Sequence, residues 1–539
     1  MPLTRPSTSP SLLRDPVFRR LWATVELSFL GGFVHVVASA WLISLMSDNA
    51  TMVALTQTAY GLPMVIFSIF AGAMADTYDR RKTMIWALGF SIFASALLAV
   101  AAGFGLLGSW STLTLLFLVG IGVAIFTPSW QASLGTIVDR DRLGEAVSLH
   151  NMGANVMRTV GPALGGFLVT FTSATFTFLV GAFSYLPALI VLIFWKPQTT
   201  PVGSTRESVT SAVGAGIRFL AASPAIQPIF LRVFCFSTSA ISVMALLPLI
   251  VRDQFGGDAT DYGILFGAFG LGAILGGFAQ GLLRHRYDSE WMLRRAFLIN
   301  AAAIAVLAVT NNFVVGLLAT GLAGSCWLMS HSLQNTTLQL ATPRWMVGRM
   351  VSICLTATFL GISAGSWLWG VVTEYSGTEF ALTVSAIAMS LTWLLALRFP
   401  LPETRNLILE PMEKHDLSIV PTLIEPQAGP VQIMVEHRVA EGQLPEFHRL
   451  MGLRRRHLIQ LGARHWTLLD PLDGGTWWIE SFQFPTWADY QRLLQRRTTE
   501  TVSLREEIRA VQYGKVDPVM RRFMIRGAGP ARDALMPRL

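Results

Sequence analysis

The sequence predicts an all-α polytopic membrane protein, twelve transmembrane helices in two pseudo-symmetric six-helix halves, followed by a small soluble α+β domain. Three observations carry that prediction. Apolar runs long enough to cross a bilayer, about 20 residues each, recur from residue 21 to about residue 399. Of 539 residues, 52% are hydrophobic and 14% charged, where a soluble domain carries about 25% charged residues. After Pro400 the pattern changes to short alternating strands and amphipathic helices.

Taken in order, spans are expected near 21–46, 52–75, 83–104, 111–136, 144–171 and 175–195, then 224–250, 260–283, 291–310, 313–338, 346–373 and 378–399. The opening MPLTRPSTSPSLLRDPVFRR is polar and basic and the run after it is long enough to span, so no cleavable signal peptide is expected. The halves then occupy 21–195 and 224–399, with 1–20 as an N-terminal segment and 196–223 as a central loop.

Alternate loops carry the basic residues: Arg19 and Arg20; Arg80, Arg81 and Lys82; Arg140 and Arg142; Lys196, Arg206 and Arg218; Arg284, Arg286, Arg294 and Arg295; Arg344 and Arg349. In the intervening loops Arg252 is the exception. Lys and Arg mark cytoplasmic loops, so both termini are expected in the cytoplasm of a bacterial inner membrane. The net charge of +8 follows from that bias and does not point to nucleic acid. Cys235, Cys326 and Cys354 sit singly in apolar runs with no ligand spacing, so no metal site is expected. No Walker sequence occurs, which argues against ATP as the driving force.

The chain repeats itself at an offset of 204 residues without a gap. Gly120 pairs with Gly324, Leu134 with Leu338, Gly144 with Gly348, Val147 with Val351, Ser148 with Ser352, Gly161 with Gly365 and Gly166 with Gly370. Parallel repeats with a binding site between them are a transporter architecture.

Two motifs narrow the family. GAMADTYDRRK, residues 72–82, resembles the loop signature of the major facilitator superfamily through Gly72, Asp76, Arg80 and Arg81, with Asp79 and Lys82 in the same cluster. RTVGPALGG, from Arg158 to Gly166, is similar to the fifth-helix signature of exporting members and contains Gly161, Pro162, Gly165 and Gly166. The first helix resembles the branch that includes the enterobactin exporter and macrolide efflux proteins. It departs from that branch at Gly32 and Val36, where relatives commonly carry an acidic and a basic residue, and at Glu26, where an apolar residue is usual.

The resemblance implies a secondary transporter working by alternating access. The 72–82 cluster would latch the cytoplasmic side and break when that side opens; simple charge anchoring is the alternative. The helix-5 glycines offer a close-packing face. Arg158 needs a cavity or a partner at its depth.

Proton coupling requires a group that changes charge in the working range, which makes Glu26, His35 and His331 the candidates. Nine residues separate Glu26 from His35, so the two lie on opposite helix faces. By the resemblance, helices 1, 4, 7 and 10 line the central cavity. His35, Gln131, Ser237, Thr238, Ser239, His331 and Asn335 are therefore cavity candidates, each with an interhelical hydrogen bond as the alternative.

After a linker at 400–429, residues 430–527 read as βαββαβ, a ferredoxin-like order, with a hairpin at Asp473-Gly474-Gly475 and a terminal segment 528–539. This part resembles antibiotic-biosynthesis-monooxygenase domains. Their W-x-x-H-x-x-x-H pattern keeps Trp487 here, with Tyr490 and Leu494 in place of both His. A dimerisation or ligand-sensing module is expected ahead of an oxygenase.

The expected activity is proton-coupled export of a hydrophobic small molecule (a siderophore, macrolide-like or other drug-like compound), with no cofactor and no catalytic residue. Its partners are the substrate, protons, the lipid bilayer and a second copy of the chain through the tail. The alternatives are a membrane-anchored sensor or enzyme acting through the tail, and an importer of the same superfamily.

Overall fold

The structure is a computed structural model. It describes residues 12–526 apart from 78, 140–141, 197–208, 344–345, 403–423, 426, 440, 471, 473–476, 496–498 and 514–517. Most of the expected linker, the Asp473-Gly474-Gly475 turn, Arg140, Arg206 and Arg344 lie outside the described residues. Gly72 and Asp76 fall on the last turns of a helix whose side chains from residue 68 on are also outside them.

The first half comprises α1 (Pro16–Met46), α2 (Ala50–Thr77), α3 (Arg80–Gly103), α4 (Ser109–Ile137), α5 (Leu143–Phe171) and α6 (Ala174–Phe194). A shorter helix, α7 (Val209–Ala221), lies where the sequence suggested only a loop. The second half comprises α8 (Gln227–Leu249), α9 (Ala259–Leu283), α10 (Ser289–Val309), α11 (Phe313–Leu340), α12 (Val347–Ser376) and α13 (Thr378–Arg398).

Helix starts follow the sequence. Asp15, Asp79, Ser173, Asp258 and Asp288 each accept backbone N–H groups at the first turn of α1, α3, α6, α9 and α10, satisfying donors the helix leaves unpaired. Among the described residues, 11 helices are long and apolar enough to cross a membrane, where the sequence suggested twelve. The twelfth, α5, has 29 residues, but His150, Asn151, Asn155 and Arg158 make it the polar member of the bundle.

The 204-residue repeat has a direct structural counterpart. A Cβ on Gly120 would strike the Tyr60 carbonyl of α2, and one on Gly324 the Phe269 carbonyl of α9. Gly161 faces Leu30 and Phe33 of α1, while Gly365 faces Thr238 and Ile241 of α8. Gly166 abuts Ala259 and Gly263 of α9, and Gly370 abuts Thr51 and Ala54 of α2. Equivalent glycines admit equivalent helices in each half, and the last pair admits a helix from the opposite half.

The two halves meet at the end of the bundle away from the basic loops. Glu374 of α12 accepts from Asn49 Nδ2 at 2.9 Å and from the Thr51 hydroxyl. Thr58 donates to the Ser363 carbonyl at 3.0 Å, Arg252 donates to the Ser44 carbonyl, and Trp41 stacks on Tyr262 with centroids 6.0 Å apart. Along α5 and α9, Thr159, Ala163 and Gly166 face Gly270, Gly267 and Gly263, a small-residue seam that brings two backbones close.

Contacts divide the chain into two compact units, one of residues 1–209, 228–337 and 351–401, the other of 210–227, 338–350 and 402–539. The second unit contains β1 (Val431–Arg438), α14 (Leu444–Gln460), β2 (Arg464–Leu469), β3 (Trp477–Phe484), α15 (Trp487–Gln495), α16 (Thr499–Ala510) and β4 (Val519–Met524). The sheet runs β2-β3-β1-β4 with every pairing antiparallel, as the sequence order implied, except that the second helix comes in two pieces. The same unit includes most of α7, since Gln460 Nε2 donates to the Ala222 carbonyl at 3.0 Å and to Ser223 Oγ at 2.9 Å. Residues 210–223 of the expected central loop thus group with the soluble domain.

Candidate transport site

Glu26 and His150 form the first polar centre. His150 Nδ1 lies 2.7 Å from Glu26 Oε1, and both side chains are buried, with exposures of 6% and 2%. Gly153 makes the approach feasible, because a Cβ there would sit 2.6 Å from Glu26 Cδ. Trp130 Nε1 reaches the same His150 nitrogen at 3.4 Å, and Phe29 lies 5.7 Å from the imidazole.

Nδ1 either carries a proton and donates to Glu26, or lacks one and accepts from Trp130 or a protonated Glu26. The arrangement thus accommodates two proton positions without moving a helix. Glu26 Oε2 has no hydrogen-bond partner among the described residues.

His150 was not singled out in the sequence, where it stands beside the polar LHN of a helix start. It stands eight residues before Arg158, about 80° round α5 at 100° per residue, so spacing alone does not put the two on one face.

His35 is elsewhere. It is fully buried, and its Nδ1 lies 2.7 Å from the Gly31 carbonyl. Its ring is stacked 5.9 Å from Phe178 and 6.2 Å from Tyr185, with Gly181 of α6 flat against it. It packs α1 on α6 rather than facing a cavity, and does not share a site with Glu26.

Arg158 is the second centre. Its guanidinium carbon lies 5.9 Å from the Phe33 ring centroid, and it interacts electrostatically with Tyr60 of α2 and His331 of α11. His331, in the opposite half, sits edge-on to Trp327 at 4.8 Å and to Phe236 at 5.4 Å. Its Nε2 has no partner among the described residues. Asn335 is half-buried one turn further along α11, and Gln131 is exposed on α4. Arg158, Tyr60 and His331 thus bring three helices from both halves to one place.

The serine stretch is not part of it. Ser237 and Ser239 are buried; Ser239 donates to the Cys235 carbonyl at 3.1 Å and its own carbonyl accepts from Ser385 at 2.8 Å. Thr238 donates to the Phe234 carbonyl at 2.9 Å, and its own carbonyl accepts from Trp369 at 2.6 Å. These residues pack α8 against α12 and α13 and were expected at the cavity wall; burial against neighbouring helices takes Ser237 and Ser239 off it.

The loop signature is a clasp within the first half. Asp79 caps α3 by accepting from Arg81 N at 2.9 Å and Lys82 N at 3.3 Å. Arg80 donates to the Ala132 carbonyl at 2.8 Å. Arg81 donates to the Leu192 carbonyl at 2.8 Å and also to that of Ile193. Arg81 thus caps the carbonyl end of α6, where a positive charge is favoured, and Arg80 reaches a carbonyl within the last two turns of α4.

In the soluble domain Glu480 is fully buried, 2.8 Å from Arg454 Nε, 2.9 Å from Trp466 Nε1 and 3.5 Å from His437 Nε2. Gln512 Nε2 lies 2.9 Å from His437 Nδ1. Burial opposes the charge of Glu480, but Arg454, His437 and Trp466 outweigh it and hold the carboxyl down to about 2. The pattern held this signal: strict alternation puts His437 in line with Val431, Ile433 and Val435, and Glu480 with Phe482 and Phe484. Tyr490, in place of the first His of the related pattern, is buried and accepts from Arg522 Nε at 2.7 Å. Among the described residues no cluster of His, Cys, Asp and Glu could hold a metal ion.

Comparisons with known proteins agree with this architecture. The enterobactin exporter EntS of Shigella boydii serotype 18 is 26% identical over 405 residues, covering 72% of this chain and 95% of the relative. EntS of Escherichia coli O81 matches over the same length. Among solved structures, a bacterial homologue of the human lysosomal transporter Spinster, in an inward-facing and unoccupied conformation, is 15% identical with a TM-score of 0.58; the match covers 72% of this chain and 98% of the other. A bacterial homologue of the iron transporter ferroportin, inward-facing, gives 0.52 at 17% identity over 72% of this chain and 99% of the other. A family profile described as transmembrane secretion effector matches residues 7–529, soluble domain included. The chain is a membrane transporter and belongs to the transmembrane secretion effector family of the major facilitator superfamily.

Proposed function

We propose that the protein exports a hydrophobic small molecule, of siderophore, macrolide or other drug-like type, across the bacterial inner membrane in exchange for protons. The observation that carries this reading is the Glu26–His150 pair. An ionisable pair inside a membrane is expensive and is retained where protons or ions pass. A shared proton with two arrangements is what an antiporter needs between its loaded and empty states. The relatives named as enterobactin exporters support the direction of transport.

In this reading the halves, joined at the end away from the basic loops, represent the state open to the cytoplasm. Both termini and the soluble domain face the cytoplasm by the Lys and Arg bias. The Arg80 and Arg81 clasp keeps the first half rigid as it rocks, a role distinct from a latch between halves. The soluble domain serves as a dimerisation or sensing module, with Tyr490 and Leu494 in place of the His pair of related tails.

The test uses inside-out vesicles with an acidic lumen. Adding a transported compound should alkalinise the lumen, and Glu26→Gln should abolish the response. If no compound in a siderophore and macrolide panel moves protons through folded protein, antiport is wrong. An importer, or a sensor acting through the soluble domain, then takes its place.

A further inference from the structure

Arg158 brings a full positive charge to the interior of the bundle, and no carboxylate pairs with it among the described residues. Glu26 is engaged by His150, and the groups that interact with Arg158 are Phe33 of α1, Tyr60 of α2 and His331 of α11. Tyr60 and His331 supply no counter-ion when neutral. Arg158 is half-buried, and a cation inside a membrane bundle without an anion is costly, which leaves a place for a partner from outside the chain.

We propose that Arg158 is the anion subsite of the transport cavity, taking the carboxylate or phenolate of an aromatic small molecule. This rests on the transporter reading and narrows its substrate class. The Phe33 ring is already against the guanidinium at 5.9 Å, so the cation is held in place before the anion arrives. The facing wall is aromatic: His331 flanked by Trp327 and Phe236 at 4.8 Å and 5.4 Å. A planar ring fits between such walls by stacking. The unpartnered His331 Nε2, with Asn335 one turn on, offers one further hydrogen bond to a polar group on that ring. A guanidinium grips a carboxylate through two parallel hydrogen bonds, which sets the anion's orientation as well as its charge.

The site also lies close to the proton pair. Arg158 follows His150 by eight residues on the same helix, about 12 Å at 1.5 Å per residue. An anion arriving at Arg158 changes the charge felt by the Glu26–His150 pair.

The test measures binding of 1-naphthoate, 1-naphthamide and 1-naphthylmethylamine to the purified full-length protein. Wild type should bind naphthoate roughly ten-fold or more tighter than the neutral amide, which corresponds to one charge-assisted contact. Arg158→Gln should erase that preference, and Arg158→Lys should keep part of it. Because Arg158 has no protein anion to lose, Arg158→Gln should unfold no earlier than wild type on heating. A preference that survives in Arg158→Gln, tightest binding of the amine, or a variant that is clearly less stable would overturn the proposal. Proton flux separates it from antiport itself. Naphthoate bound through Arg158 without proton movement leaves the subsite and removes antiport. Proton movement driven only by neutral compounds does the reverse.

Discussion

His150 and Glu26 meet at 2.7 Å between α5 and α1, and neither has a second acidic or basic partner among the described residues. Removing one member of a buried pair leaves the other uncompensated, at about 3–5 kcal/mol. Glu26→Gln and His150→Gln are each expected to lower stability by about that amount, and the double variant by clearly less than the sum. Thermal unfolding of the three purified variants gives the coupling energy. Strictly additive losses would mean the two side chains act independently.

The clasp of Arg80 and Arg81 on the ends of α4 and α6 predicts unequal effects of conservative changes. Arg81 reaches two carbonyls with a planar fork that a lysine cannot reproduce. Arg81→Lys should therefore cost about 1.5–3 kcal/mol, despite keeping the charge. If anchoring by charge were the whole role, Arg81→Lys would match wild type in unfolding temperature and Arg81→Gln would not.

The α5–α9 seam has no room at Gly166, where a Cβ would lie 2.6 Å from the Gly263 Cα. Gly166→Val should part the halves at that end, at about 1–3 kcal/mol for overpacking. A thiol introduced as Trp41→Cys, in a chain freed of its three native cysteines, should then react several-fold faster with a water-soluble maleimide. Unchanged labelling would show that the seam does not hold this end closed.

Glu480 gives the soluble domain an acid limit. Its carboxyl is held down to about 2 from an ordinary 4.5. A depressed folded-state value contributes stability that is present above the unfolded value and lost as pH falls through the folded one. Protection of residues 427–526 against hydrogen exchange should be level above about pH 5 and decline from there towards pH 2. Glu480→Gln should flatten that decline and lower protection at neutral pH by about 3–5 kcal/mol, since Arg454 loses its counter-charge. The same decline in Glu480→Gln would assign the acid limit to another group.

Much of the architecture was legible because it rests on pattern. The Gly pairs 204 residues apart announced the two halves, and Gly120/Gly324, Gly161/Gly365 and Gly166/Gly370 admit equivalent helices. Cap residues set the starts of α3 and α9, and alternation drew β1 and β3. The site was less legible because it depends on which helices become neighbours. Glu26 was visible as a misplaced charge, but its partner lies 124 residues away and only packing brings it near. Ser237 and Ser239 had the composition of a cavity wall, yet α12 and α13 cover them. His35 looked like a titratable group in a channel until Gly181 and two aromatic rings enclosed it. α7 was missed because its 13 residues are too few to span a membrane and group with the second unit rather than with the apolar bundle.

That shared unit has a consequence in time. The bond from Gln460 to the Ala222 carbonyl closes a loop of 238 residues. At roughly 5–20 residues per second, a ribosome takes about 12–48 s to make the second partner after the first. Throughout that interval the Ala222 carbonyl and Ser223 are without their partner in the tail. The second half is complete, and able to find the first, before the tail exists to hold the connection between them.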